Sequence, residues 1–217
     1  MNIYIDYNPN DLTELCHIMA KYGSDKSKLA HNGWHNYTTY YFNLFEDVRH
    51  LPLHIFELGL GTNNIKIPSN MGKDGKPGAS LRGWKEFFPN SSIFGADIDK
   101  DILFNEERIK TYYCDQLNPY IINMMWNEPD LQNVLFDIII EDGLHSFEAN
   151  KCFFENSIHK LKIGGVYIIE DIQNKYLSQY YSLINNWKQI LNIEIRIIHL
   201  NSDVNHHDNN IIVIQKK

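Results

Sequence analysis

Cysteine is scarce in this chain, and the three present, Cys16, Cys114 and Cys152, form no CxxC spacing. An odd, unpaired set argues against a disulfide framework and for free thiols in a reducing compartment. Clustered positive charge is missing too. The nearest approach is the scattered Lys73, Lys76, Arg82 and Lys85, against a net charge of -7. Phosphate neutralisation needs clustered Lys and Arg, so no nucleic acid partner is expected. No apolar run approaches the ~20 residues of a membrane helix. Met1 to Asp11 lacks the basic start and apolar core of a signal peptide. The expectation is a cytoplasmic protein that engages no membrane. What is abundant is core material: 217 residues, 43% hydrophobic, with thirteen Tyr, eleven Phe and four Trp, which excludes a disordered chain.

Two stretches share a pattern. Phe136–Ile140 and Val166–Ile169 are apolar and rich in β-branched residues, and each ends in acids: Glu141-Asp142-Gly143-Leu144-His145 and Glu170-Asp171. Such runs read as buried strands of a parallel sheet. Ligands of open α/β sheets sit outside the carboxyl ends of the strands. Asp142, His145, Glu170 and Asp171 are therefore expected at the functional edge as a metal-and-base site. Strand alternation turns Glu141 to the opposite face.

In chain order, Leu12, Leu15, Cys16 and Met19 form the stripe of an amphipathic helix over about 10–22, capped by Asn10 or Asp11 and ended by Gly23. After the polar turn Tyr22–Lys26, a second helix is expected from Thr38 to Val48. Residues 1–50 read either as a helical layer with capped turns or as a lid over a cofactor, with Ser24 and Tyr37 as candidate contacts. The domain proper is expected over 51–217. Its first strand, Leu53–Leu58, runs into Gly59-Leu60-Gly61. The glycines permit a tight turn and close approach of a ligand. The dinucleotide fingerprint GxGxxG is incomplete, because Asn64 stands at its third glycine position. Glu57 would repel a pyrophosphate but suits an ammonium or sulfonium charge, which favours S-adenosylmethionine over NAD. Asn63 to Gly78 reads as an insertion, functional or merely tolerated, before a helix over about 79–88.

Ser92–Asp99 is the second strand, where Asp97 can accept from a ribose diol and Asp99 better suits a helix cap. The third, Arg108–Cys114, ends at Asp115 and Gln116, with Asp115 facing an adenine amino group or capping a helix. A helix over about 147–161 is broken by Gly164-Gly165 before the fifth strand, and another spans about 177–191. Ile193–His199 and Asn210–Gln215 read as an antiparallel hairpin. Its loop holds His206-His207-Asp208, read as solvated loop more readily than as a metal site. The sum is a Rossmann-like, doubly wound, mostly parallel α/β sheet with helices on both faces and a terminal antiparallel hairpin.

With these elements the chain resembles class I S-adenosylmethionine-dependent methyltransferases. The resemblance rests on Glu57-Leu-Gly-Leu-Gly61, Asp97, Asp115, Phe136–Asp142 and Leu161-Lys-Ile-Gly-Gly-Val-Tyr167. More narrowly, Asp142-Gly-Leu-His145, Glu170-Asp171, Tyr22-Gly-Ser-Asp-Lys26 and His35-Asn-Tyr37 look like metal-dependent sugar O-methyltransferases related to macrolide-tailoring enzymes and cephalosporin-hydroxylase-like proteins. The resemblance implies that Asp142, Glu170 and Asp171 bind a divalent cation, usually Mg²⁺, with His145 as general base. It also implies that Glu57, Gly59, Gly61, Asp97 and Asp115 hold S-adenosylmethionine. Ala149 and Asn150 stand where relatives often carry His and Gln. Charge physics agrees, since three converging carboxylates repel unless a cation neutralises them. An all-oxygen set suits Mg²⁺, Mn²⁺ or Ca²⁺ better than Zn²⁺. The expected substrate is a small molecule or nucleotide-linked or surface-polysaccharide sugar. Alternatives are a non-sugar acceptor, a non-catalytic methyltransferase-like binding subunit, or an NAD-dependent oxidoreductase. The aromatic-rich N-terminal segment is a candidate surface for a homo-oligomer.

Overall fold

A computed structural model describes residues 1–217. Its sheet grows from the apolar runs identified above. β1 (His54–Leu58), β2 (Ser92–Asp97), β4 (Ile109–Tyr113), β5 (Phe136–Glu141) and β6 (Leu161–Ile169) lie parallel to one another. The hairpin of β7 (Ile193–His199) and β8 (Asn210–Lys216) joins antiparallel through β8, which pairs with β6. A two-residue strand, β3 (Asn105–Glu106), pairs antiparallel with β4 at the other edge; two residues are too few to show a period in sequence. The order is β3-β4-β2-β1-β5-β6-β8-β7. The chain thus builds outward from β1 and then returns to lay β5 on its other side. That reversal opens a crevice beyond the carboxyl ends of β1 and β5.

Side-chain alternation divides the core. Ile55, Ile93, Ile138, Ile140, Val166 and Ile168 pack on one face, against α1 (Glu14–Tyr22), α2 (Tyr37–Phe45) and α3 (Ala79–Phe87). Phe56, Phe94, Ile139, Tyr167 and Ile169 pack on the other, against α4 (Pro119–Trp126), α5 (Phe147–Ser157) and α6 (Leu177–Ile190). Removing a large ring such as Trp84 or Trp187 from either layer would cost about 3–5 kcal/mol. No helix is long and apolar enough to cross a membrane.

Some boundaries differ from expectation. Thr13, not Asn10 or Asp11, caps α1 by accepting from the Cys16 amide. Asn8 and Asp11 are engaged with each other in a preceding turn, where the Asn8 amide donates to the Asp11 carboxylate at 2.7 Å. Leu12 therefore lies outside the helix and is 54% exposed. Gly23 ends α1 as expected, at φ 85°. α2 stops at Phe45 and a 3-10 turn carries on to Val48. Gly164 and Gly165 lie within β6 rather than before it: the register slips there, so that Phe136 pairs with Leu161 but Ile138 with Val166.

Candidate active site

The β1 turn forms the floor of a cavity of about 350 Å³ at the crevice. Gly59 holds φ 91°, and a Cβ there would meet the Asp142 carbonyl oxygen at 1.7 Å. Only glycine lets the ends of β1 and β5 approach so closely. Gly61, at φ 74°, lines the same cavity. Asp97 steadies the turn: one carboxylate oxygen accepts from the Leu60 amide at 2.7 Å and the other from the Asp99 amide at 2.8 Å. It remains in the lining, as does Asp115, whose Oδ1 accepts from the Leu117 amide. Asp99 caps the following 3-10 turn. The 63–78 segment forms no helix or strand, and Ile67, Ser69, Met71 and Lys76 from it wall the cavity.

Three expected contacts have other partners. Gln116 reaches the lining, but its amide is a strut: Nε2 donates to Glu141 at 2.6 Å and Oε1 accepts from the Leu144 amide at 2.8 Å. Glu57 is fully buried behind the turn, accepting from Ser80 Oγ and Trp84 Nε1, and it is not part of the lining. Burial pushes its carboxyl up, opposed by Lys26. Tyr37 also lies off the lining and donates its hydroxyl to Asp171 Oδ1, while Ser24 does line the cavity. Glu141 faces away as expected, accepting from Tyr167 at 2.5 Å.

At the ends of β5 and β6, His145 Nε2 lies 3.0 Å from Asp142 Oδ1 and 3.2 Å from Asp171 Oδ2. Donor atoms of these three residues all fall within 4.8 Å of one another, close enough for one ion. His145 and Asp171 hold left-handed φ of 57° and 54°, a conformation that costs non-glycine residues of order 1–3 kcal/mol and that clusters at active sites. Burial works against the imidazolium, yet Asp171 and Asp142 outweigh it and raise His145 to about 10. Burial also opposes the Asp142 carboxylate, but Lys26 and His145 hold it well below the usual range.

Glu170 sits one layer deeper. Its Oε1 accepts from Tyr41 at 2.6 Å and its Oε2 from Lys26. Burial raises its carboxyl, against the pull of Lys26. The Lys26 ammonium is 2.5 Å from Asp142 Oδ2 and 3.8 Å from Glu57, with its side chain 1% exposed. Sequence reading quoted Lys26 only as the end of the Tyr22–Lys26 turn and gave neither it nor Tyr41 a role. A lysine in a polar turn ordinarily reads as solvated, and only the unbalanced acids at three strand ends signal that a cation must lie among them. His206 and His207 stay exposed on the hairpin loop and are not part of the Asp142–His145–Asp171 group.

No family model matches the chain. It is 31% identical over 172 residues to 8-demethyl-8-(2-methoxy-alpha-L-rhamnosyl)-tetracenomycin-C 3'-O-methyltransferase of Streptomyces olivaceus, across 79% of this chain and 39% of that protein. Demethylmacrocin O-methyltransferase of Streptomyces fradiae is 31% identical across 76% of this chain and 37% of that protein. Over that shared stretch the chain is homologous to these O-methyltransferases. It spans about two fifths of the length of the curated relatives it matches. MycE methyltransferase from the mycinamycin pathway, solved in complex with Mg and SAH, superposes with a TM-score of 0.72 at 25% identity, covering 95% of this chain and 55% of that one. The Rossmann-like methyltransferase fold is thus shared with MycE methyltransferase.

Proposed function

We propose that this chain transfers a methyl group from S-adenosylmethionine to a sugar hydroxyl, with a divalent cation and His145 activating the acceptor. The observation that carries the reading is that Asp142, His145 and Asp171 border the same cavity as the Gly59–Gly61 turn, Asp97 and Asp115. Asp97 would accept from the ribose hydroxyls and Asp115 from the adenine amino group. Ser24 and its neighbours, as part of a 1–50 lid, would close over the methionine end. Glu57, behind the turn, contributes negative potential toward the sulfonium rather than a direct contact.

The donor set fits a hard cation: carboxylates of Asp142 and Asp171 converge beside an open cavity, with Glu170 immediately behind. A bound Mg²⁺ would lower the pKa of an acceptor hydroxyl and offset the acid cluster that keeps His145 protonated. His145 Nε2 accepts the hydroxyl proton as the oxygen attacks the methyl carbon; the carbon–sulfur bond breaks and its electron pair returns to sulfur. The products are a methyl ether, S-adenosylhomocysteine and protonated His145. Holding both partners in line supplies much of the remaining acceleration. The tetracenomycin relative is named for methylating a rhamnosyl derivative of that compound; for this chain a glycosylated small molecule, a nucleotide-linked sugar or a surface-polysaccharide sugar is the proposed acceptor class.

The test is a screen of these acceptors with methyl-labelled S-adenosylmethionine and Mg²⁺, run beside a binding titration with NAD. Labelled sugar ether is the expected product, and His145→Ala should slow its formation roughly 10²–10⁴-fold with S-adenosylmethionine binding preserved. Tight NAD binding without S-adenosylmethionine binding would sink the proposal. Transfer unaffected by His145→Ala would remove the general base from it.

A further inference from the structure

Asp142, Glu170 and Glu57 end three different strands, and one side chain answers all three. Lys26 Nζ contacts Asp142 Oδ2 at 2.5 Å and Glu170 Oε2, and lies 3.8 Å from Glu57 Oε1. Two of its three N–H donors are spent on Asp142 and Glu170, while Glu57 is held at ion-pair range only. Lys26 arrives from the turn after α1, where Gly23 reverses the chain and the Lys26 carbonyl accepts from the Thr38 amide at 3.2 Å. The remaining Glu170 oxygen is taken by Tyr41, and the remaining Asp142 oxygen faces His145. Both Glu170 oxygens thus already have partners within the chain, and Lys26 holds the one on the side of Asp142.

We propose that Lys26 is a resident counter-ion that trades places with the divalent cation: ammonium and metal are alternative occupants of the Asp142–Glu170 pair. The inference rests on the metal reading above and adds the competitor. A divalent ion on those same oxygens would lie within a few ångströms of the ammonium, where like charges in a buried site repel strongly. Lys26 has somewhere to go. It lines the cavity together with Asp25, and its four-carbon stem is flexible. The exchange also ties metal loading to residues 23–26, the part of the N-terminal segment that borders the cofactor cavity. Without a metal, Lys26 keeps the acid cluster compensated and the sheet edge intact.

The experiment compares wild type with Lys26→Met by calorimetric titration with Mn²⁺ and by melting in EDTA and in saturating Mn²⁺. Exchange predicts that Lys26→Met melts several degrees lower in EDTA, that Mn²⁺ recovers most of that loss, and that Mn²⁺ binds the variant about tenfold more tightly or better. A lysine that merely neighbours the metal would leave Glu170 and Glu57 uncompensated in both conditions. An equal melting loss with and without Mn²⁺ therefore overturns the exchange, whatever the affinity. Absence of Mn²⁺ binding to both proteins overturns the metal reading and this one with it. Should Lys26→Met not fold, acetic anhydride labelling of Lys26 in the wild type, read by peptide mass spectrometry, decides. Mn²⁺ is expected to speed the labelling of this buried amine about tenfold, and an unchanged rate under Mn²⁺ saturation overturns the proposal.

Discussion

His145 and Asp171, on consecutive strand ends of the sheet, meet at 3.2 Å with both backbones in the left-handed region. The pair gives the metal-free protein a specific pH signature. His145 is raised from its ordinary 6.5 to about 10. A raised histidine contributes stability that is fully present below the unfolded pKa and is lost as pH rises through the folded one. In EDTA, the melting temperature of the wild type should therefore exceed that of His145→Gln by most at and just below pH 6.5, and the gap should close as pH rises toward and past about 10. A gap that is constant across that range would contradict the pairing.

Gly59 predicts the behaviour of the crevice itself. Alanine there would place its Cβ 1.7 Å from the Asp142 carbonyl and hold a φ of 91°. Overpacking of this kind costs about 1–3 kcal/mol, and the left-handed backbone adds about 1–2 kcal/mol more. Gly59→Ala should lower the urea midpoint and also weaken S-adenosylmethionine binding, because relief requires β1 and β5 to separate at the cavity floor. An unchanged midpoint with unchanged binding would show that the close approach is dispensable.

Much of this was legible in the sequence, because hydrophobic period and terminal acids are local signals. The runs ending at Asp97, Asp142 and Glu170-Asp171 became strands whose ends meet at one crevice, and Glu141 turned away as a period of two requires. What the sequence did not reveal are contacts between distant segments. Glu57 and Tyr37 were expected at the cofactor. The fold engages Glu57 with Ser80 and Trp84, and Tyr37 with Asp171, partners separated from them by 23 to 134 residues. Gln116 lines the cavity, but its use as a strut between Glu141 and Leu144 depends on β5 lying beyond β1. Lys26 is the largest such case, since its partner Glu170 lies 144 residues away.

The central claim, metal-assisted methyl transfer at the Asp142–His145–Asp171 corner, is tested most directly by one assay. Transfer from labelled S-adenosylmethionine to an accepted sugar is measured after dialysis against EDTA and again after Mg²⁺ is restored. The account predicts that transfer falls to background in EDTA while S-adenosylmethionine still binds, and that Mg²⁺ brings it back. Full transfer in EDTA would contradict it.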